Sequence, residues 1–160
     1  MSRIFRLIAF IFFVLTLALS PRPVLACVEG LSWGMDLSSL EMHLGVDFEP
    51  IHQDLTSDLF EIQNFKMSNL PVKIFRVRID DQYGLKQIAF EMDYENMTEV
   101  LAGLRNRFGP PVGASFDVDG DSSQQQWIWH TGEDVITAVK SQQRSFLLSY
   151  RPSLLDPAFL

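Results

Sequence analysis

The 160-residue sequence contains one cysteine, Cys27, so it cannot close a disulfide within itself. In an oxidising compartment a lone thiol has no internal partner, and Cys27 then needs a reason of its own. Positive charge is also scarce: 13 Lys and Arg face 20 Asp and Glu, a formal net charge of −7. The imbalance sharpens along the chain, because Arg3, Arg6 and Arg22 precede Cys27 and no acidic residue does, leaving −10 from Cys27 onward. Such a body repels nucleic acid and anionic lipid, so no nucleic-acid partner is expected. No metalloprotease helix, nucleophile elbow, phosphate loop or dinucleotide fingerprint occurs in the sequence, which lowers the expectation of an enzyme. His43, His52 and His130 fall in three different predicted elements with no Cys or carboxylate at ligand spacing. No transition-metal site and no cofactor is expected.

Long apolar runs are confined to the first 26 residues. Arg3 and Arg6 lead into a 13-residue apolar stretch, Leu7 to Leu19, followed by a Ser20-Pro21 break and small residues ending at Ala26. This is the three-part pattern of a secretory signal peptide. At ~1.5 Å per residue the run reaches roughly 20 Å as a helix, short of a ~30 Å hydrocarbon core. Val24 and Ala26 satisfy the small-residue rule for ordinary signal peptidase. Residues 24–27, VLAC, also resemble the bacterial lipobox, in which Cys27 would carry a diacylglycerol. Both rules cut at the same bond, so the expected location is the periplasm or the exterior, soluble or lipid-anchored through Cys27. Contact with a membrane is expected only through the signal segment or that lipid.

The stretch Trp33 to Gly45, WGMDLSSLEMHLG, organises the rest of the chain. Asp36 is a good N-cap, Leu37, Leu40 and Leu44 share a helical face, and Gly45 can end the helix in the left-handed conformation. Trp33 is expected beside this helix. Val46 to Ser57 reads as an acidic loop, and Phe60 and Ile62 begin a first strand. The clearest hairpin joins Val72–Asp80 to Leu85–Met92 through Asp81, Gln82, Tyr83 and Gly84. Its alternation puts Phe75, Val77, Ile79, Ile88, Phe90 and Met92 on a core face and Arg76, Arg78, Gln87 and Glu91 on the other. Asn96 with Glu99 resembles a capping box before a second helix, Met97 to Phe108, stopped by Gly109, Pro110 and Pro111. Three strands complete the pattern: 126–130, 135–140 and 145–151. Closing their turns groups Ile128, Val135, Thr137, Val139, Phe146, Leu148 and Tyr150 on one face, which the helices should cover. Trp127 and Trp129 then fall on the open face with Arg76 and Arg78, and Trp with Arg is the pairing enriched at interface hot spots. These four are the candidate binding residues; an ordinary wet face and a Trp-filled core are the competing readings. Asp117, Asp119 and Asp121 could converge on Ca²⁺, but Ser122 and Ile128 stand where an EF-hand loop needs glycine and glutamate. Such a site would bind at about 10⁻⁴ to 10⁻³ M, and a solvated acidic turn is the simpler reading.

Aligned on their closing glycines, Leu40, Leu44 and Gly45 match Leu104, Phe108 and Gly109. The sequence therefore predicts an α+β domain at 27–151 made of two tandem α-β-β-β repeats, about 31–93 and 94–151, with an irregular tail at 152–160. The WGMDLSSLEMHLG opening resembles the small outer-membrane lipoprotein of the β-barrel assembly machinery, and the duplicated form resembles the β-lactamase inhibitor protein. The resemblance implies an antiparallel sheet with helices packed on one face and non-enzymatic protein binding. This chain departs from it by long acidic loops and by lacking paired cysteines. The expected function is that of an exported bacterial envelope protein that binds another envelope protein as an assembly or inhibitory factor. The alternative is a small exported enzyme or ligand carrier with a pocket between sheet and helices.

Cleavage is expected between Ala26 and Cys27, so intact mass of the exported protein should lack Arg3 and Arg6. A Cys27→Ala protein should lose membrane association if the cysteine is lipidated and keep its fractionation if it is not.

Overall fold

The computed structural model describes residues 28, 30–53, 57–67, 70–116, 125–140 and 144–153. The signal segment, Cys27, the Asp117, Asp119 and Asp121 run and the tail from 154 lie outside the described residues. Helix α1 is Leu37–Leu44. Strands β1 (Glu49–Gln53), β2 (Ser57–Gln63), β3 (Lys66–Met67), β4 (Leu70–Pro71), β5 (Ile74–Asp80) and β6 (Gly84–Asp93) come after it. A 3₁₀ turn, Tyr94–Asn96, leads into helix α2, Met97–Phe108, and then β7 (Gly113–Phe116), β8 (Gln125–His130), β9 (Asp134–Lys140) and β10 (Ser145–Pro152).

Local chemistry explains most boundaries. The Asp36 carboxylate accepts the Ser39 N–H at 2.7 Å, and the Gly45 N–H bonds the Glu41 carbonyl with Gly45 at φ 66°. Both α1 caps are as the sequence predicts. The second helix differs: Asn96 already has a helical backbone (φ −79°, ψ −11°) and its side chain makes no capping bond. The 3₁₀ turn feeds its own carbonyls into the helix, leaving no extended residue to act as a capping box.

Eight strands form one antiparallel sheet in the order β1-β2-β5-β6-β10-β9-β8-β7, and β3 pairs with β4 in a small separate hairpin. Each half of the chain lays down a four-stranded meander, and the two meanders join where β6 meets β10. Four sheet strands come after each helix, not the expected three. The extra strands, β1 and β7, are the two edges of the sheet. β1 (EPIHQ) shows no apolar alternation and contains Pro50, whose pairing with Phe60 is succeeded by a register shift before His52. A proline near a bulge is tolerated at an edge and hides the strand from a pattern search.

In the first half the predicted hairpin register holds: Phe75 faces Phe90 and Val77 faces Ile88. A bulge between Arg78 and Ile79 then sets Ile79 opposite Leu85. In the second half β8 and β9 pair as expected, with Trp127 opposite Ala138 and Trp129 opposite Ile136. β10, however, is one residue out from the predicted register, since Leu148 stands opposite Ala138 and Leu147 opposite Val139. Arg144, at the end of that connection, has a left-handed backbone (φ 59°), a feature alternation alone does not reveal. Phe146, Leu148 and Tyr150 therefore share the face of Trp127, Trp129, Ile136 and Ala138, and it is this set that is buried.

The core is one cluster in which Leu40 of α1 and Val100, Leu101 and Leu104 of α2 pack with this face. Through it runs an aromatic row: Phe48 edge-on to Phe75 at 5.3 Å, Phe75 stacked on Phe90 at 4.7 Å, and Phe90 against Tyr150 at 6.3 Å. The row crosses from β5 through β6 to β10, tying the two meanders from inside. β10 itself extends through Pro152, and the buried Ser153 donates its N–H to the Glu133 carbonyl at 2.7 Å. Pro152 thus belongs to the sheet and Ser153 is tied to the β8–β9 turn, so the tail begins later than 152.

The lead-in before α1 forms an added tie. The Gly34 N–H donates to the Leu85 carbonyl and the Leu85 N–H to the Met35 carbonyl, at 3.1 and 2.8 Å. Gly84, beside this pairing, has φ +66°, and a Cβ there would lie 2.3 Å from the Gly34 oxygen. Gly45 has the same φ of +66° with nothing near its Cβ position. Gly45→Ala should therefore cost about 1 kcal/mol from backbone strain alone, and Gly84→Ala about 2 kcal/mol or more because the lead-in must also move. Urea unfolding of the two variants should resolve the difference; equal midpoints would contradict the close approach.

Candidate functional site

The four candidate binding residues are split between the two sides of the sheet. Trp127 and Trp129 are 7% and 1% exposed, and Trp129 Nε1 donates to the Gly109 carbonyl at 3.0 Å just past the end of α2. Both indoles are core residues, which overturns their expected exposure on an open face. The physical reason is that the helices pack on the Trp side of β8 and β9, so among the described residues it is the Ile128 and Val139 side that no helix covers. Arg76 and Arg78 do lie on that open side, opposite Ala89 and Gln87. The structure does not bring Trp and Arg together.

Arg76 is clamped between strands, its Nε 3.2 Å from Glu61 Oε2 and its Nη1 3.1 Å from Glu91 Oε2. Arg78 Nη1 donates to Ser57 Oγ at 3.3 Å. Cross-strand pairing of the ordinary kind thus accounts for Arg76. Beside these charges the centre of the open face is lined with small residues, Ala89, Ser149 and Thr137, in register across β6, β10 and β9, with Ile128 next in the row on β8. A second row joins Ile74, Glu91, Leu147 and Val139. All of these are half-buried.

The other candidate is a cleft of about 760 Å³ at one end of the sheet, lined by Trp33, Gly34, Tyr83, Leu85, Lys86, His130, Val135, Arg151, Pro152 and Ser153. Three separate pieces of chain build it: the lead-in, the β5–β6 turn, and the β8–β9 turn with the end of β10. Asp80 organises the first turn. One carboxylate oxygen accepts the Gln82 and Tyr83 N–H groups at 2.9 Å each, while the other pairs with Lys86 Nζ. Lys86 Nζ also sits 5.1 Å from the centre of the Tyr83 ring. In the second turn, Thr131 Oγ1 accepts the Asp134 N–H and the Thr131 N–H returns to the Asp134 carbonyl, both at 3.0 Å. The fully buried Asp134 carboxylate accepts Trp33 Nε1 at 2.6 Å. Trp33 thus anchors to the second half of the chain and not merely beside α1.

No protein-family model matches the chain, and no curated protein does. A solved structure of a DUF4309 family protein (YjgB) from Bacillus subtilis is similar at 14% identity with a TM-score of 0.46, over 72% of this chain and 77% of that one. That similarity is too slight to carry an argument about fold or function.

Among the described residues, no group of three or more His, Cys, Asp and Glu could hold a metal ion. The cleft residues do not stand out as a site in the sequence. The register offers one signal, since His130 and Arg151 both stand opposite Val135, but finding it requires the β9–β10 pairing that alternation misplaces.

The Asp80 carboxyl is held below its ordinary value, chiefly by the Lys86 hydrogen bond and further by the Tyr83 and Gln82 N–H groups, against a smaller opposing effect of burial. A depressed folded-state pKa contributes stability that is fully present above the unfolded carboxylate's range and is lost as pH falls through the folded value. Stability should thus decline below about pH 4, and Asp80→Asn should flatten that acid limb. Urea midpoints measured from pH 7 to pH 2 would check this, an unchanged slope counting against the turn's electrostatics.

Proposed function

We propose that this is an exported bacterial envelope protein that binds another protein across the uncovered face of its sheet, as an assembly or inhibitory factor without catalysis. One observation carries the reading: the helices cover one face of an eight-stranded sheet, and among the described residues no helix covers the other. That face mixes fixed charge at Arg76, Glu61 and Glu91 with half-buried Ile74, Leu147, Val139 and Ile128 around a small-residue centre. A broad surface of apolar patches ringed by polar groups suits a protein partner better than a small substrate. The N-terminal charge and apolar pattern supports export to the periplasm or beyond, with Cys27 as the lipid attachment point if the lipobox is read.

Duplication fits the same reading. Each half of the chain supplies one helix and then four sheet strands, and the halves meet through their last strands. The resemblance of Trp33–Gly45 to the assembly-machinery lipoprotein, and of the doubled form to the β-lactamase inhibitor protein, implies a sheet of this kind with protein binding as its role.

Ser149 and Thr137 face each other at the middle of the open face. Ser149→Arg should reduce capture of a partner from envelope extract by about tenfold or more, which corresponds to ~1.4 kcal/mol. Met42→Arg, at a position 83% exposed on α1, should leave capture unchanged. Equal capture by the two variants, both folded by circular dichroism, would remove the sheet face from the proposal.

A further inference from the structure

We infer that the cleft at the end of the sheet is a binding site for a monocarboxylate with an apolar body, such as an acyl chain. This rests on the cleft alone and is independent of the open-face proposal. The volume, about 760 Å³, lies in the range of clefts that hold drug-sized ligands. Its walls are Trp33, Tyr83, Leu85, Val135 and Pro152, which offer an apolar body aromatic and aliphatic contact. The charge it can accept is set by the ionisable groups around those walls.

Lys86 is already neutralised by Asp80, and the Asp80 carboxylate is further engaged by two turn N–H groups. The Asp134 carboxylate faces Trp33 Nε1. The carboxylates at the cleft are thus committed, and the exposed Arg151 makes no ion pair among the described residues. Val135 separates Arg151 from the exposed His130 in one cross-strand row, Arg151 opposite Val135 on β10 and His130 opposite it on β8. Directly opposed residues lie roughly 4.5–5.5 Å apart at Cβ, so the guanidinium and the imidazole flank one apolar floor residue. An arginine there can take a carboxylate through two parallel hydrogen bonds. Among the described residues Arg151 is the one cleft cation without an ion pair, and with imidazole N–H support it matches one carboxylate and not a di- or triphosphate. In a chain with net charge −7, such a local cation beside apolar walls is where an amphipathic anion would be held.

Trp33 is half-buried in the cleft while Trp127 and Trp129 are in the core, so ligand entry can be tracked through Trp33 emission. Dodecanoate, dodecanol and a short apolar peptide with a free carboxylate would be titrated into the full protein, with calorimetry in parallel. Dodecanoate should bind and change the Trp33 signal, and dodecanol should bind about tenfold more weakly or worse, as expected for loss of a charge-assisted hydrogen bond. Arg151→Gln should weaken dodecanoate by a similar factor and leave dodecanol unaffected, whereas Arg105→Gln on α2 should change neither. Equal binding of acid and alcohol, or an Arg151→Gln protein that binds dodecanoate as before, would overturn the carboxylate assignment. Absence of dodecanoate binding up to about 1 mM would overturn the site, and capture of the peptide in its place would assign the cleft to a protein ligand. None of these results depends on whether Ser149→Arg blocks a protein partner.

Discussion

The pairing of β6 with β10 is the constraint on which the rest of the molecule hangs. Every other ladder of the large sheet joins strands that are neighbours within one half of the chain. Among the described residues only this one runs between the halves, from Ser145 opposite Asp93 to Tyr150 opposite Ile88. Without it the large sheet would be two four-stranded meanders, β1-β2-β5-β6 and β10-β9-β8-β7. The strand that completes the sheet, β10, is thus a central strand built from the end of the described chain. Local meanders can form early, while a ladder between residues more than fifty positions apart requires a longer loop to close and so comes later.

Two further ties cross the same seam. From inside, the Phe75, Phe90 and Tyr150 rings connect β5, β6 and β10. At the end of the sheet, the lead-in bonds Leu85 of the first half through Gly34 and Met35, and Asp134 of the second through Trp33. The cleft lies where that strap crosses. Its walls are therefore held by the same contacts that hold the halves together, and a change that loosens the seam would reshape the cleft before it unfolded either meander.

How much of this is legible in the sequence depends on how local the signal is. Helix α1 can be read because its cap, stripe and stop sit within ten residues, and the β5–β6 hairpin because strict alternation flanks Asp81 to Gly84. The edge strands cannot, since β1 carries a proline and a bulge and β7 is only four residues long. The side of the sheet on which Trp127 and Trp129 fall turns on one residue of register in β10 and on where the helices settle, neither of which alternation fixes. Apolar residues on both faces of β8 and β9 leave the choice open, and burial chooses the larger side chains. The cleft is furthest from view because its parts come from residues 33 to 153 and meet only once the seam is closed.

The weak look of β1 and β7 has a use. Whatever lies at the margins of an open sheet offers unpaired backbone donors and acceptors to any extended chain that drifts past. Here one margin contains a proline, which has no N–H, with a register shift beside it, and the other is four residues long and starts at a glycine. Edge-to-edge pairing of such margins is the route by which sheets grow into fibres. These two borders, one with a proline and a register shift and the other only four residues long, offer such growth no straight template.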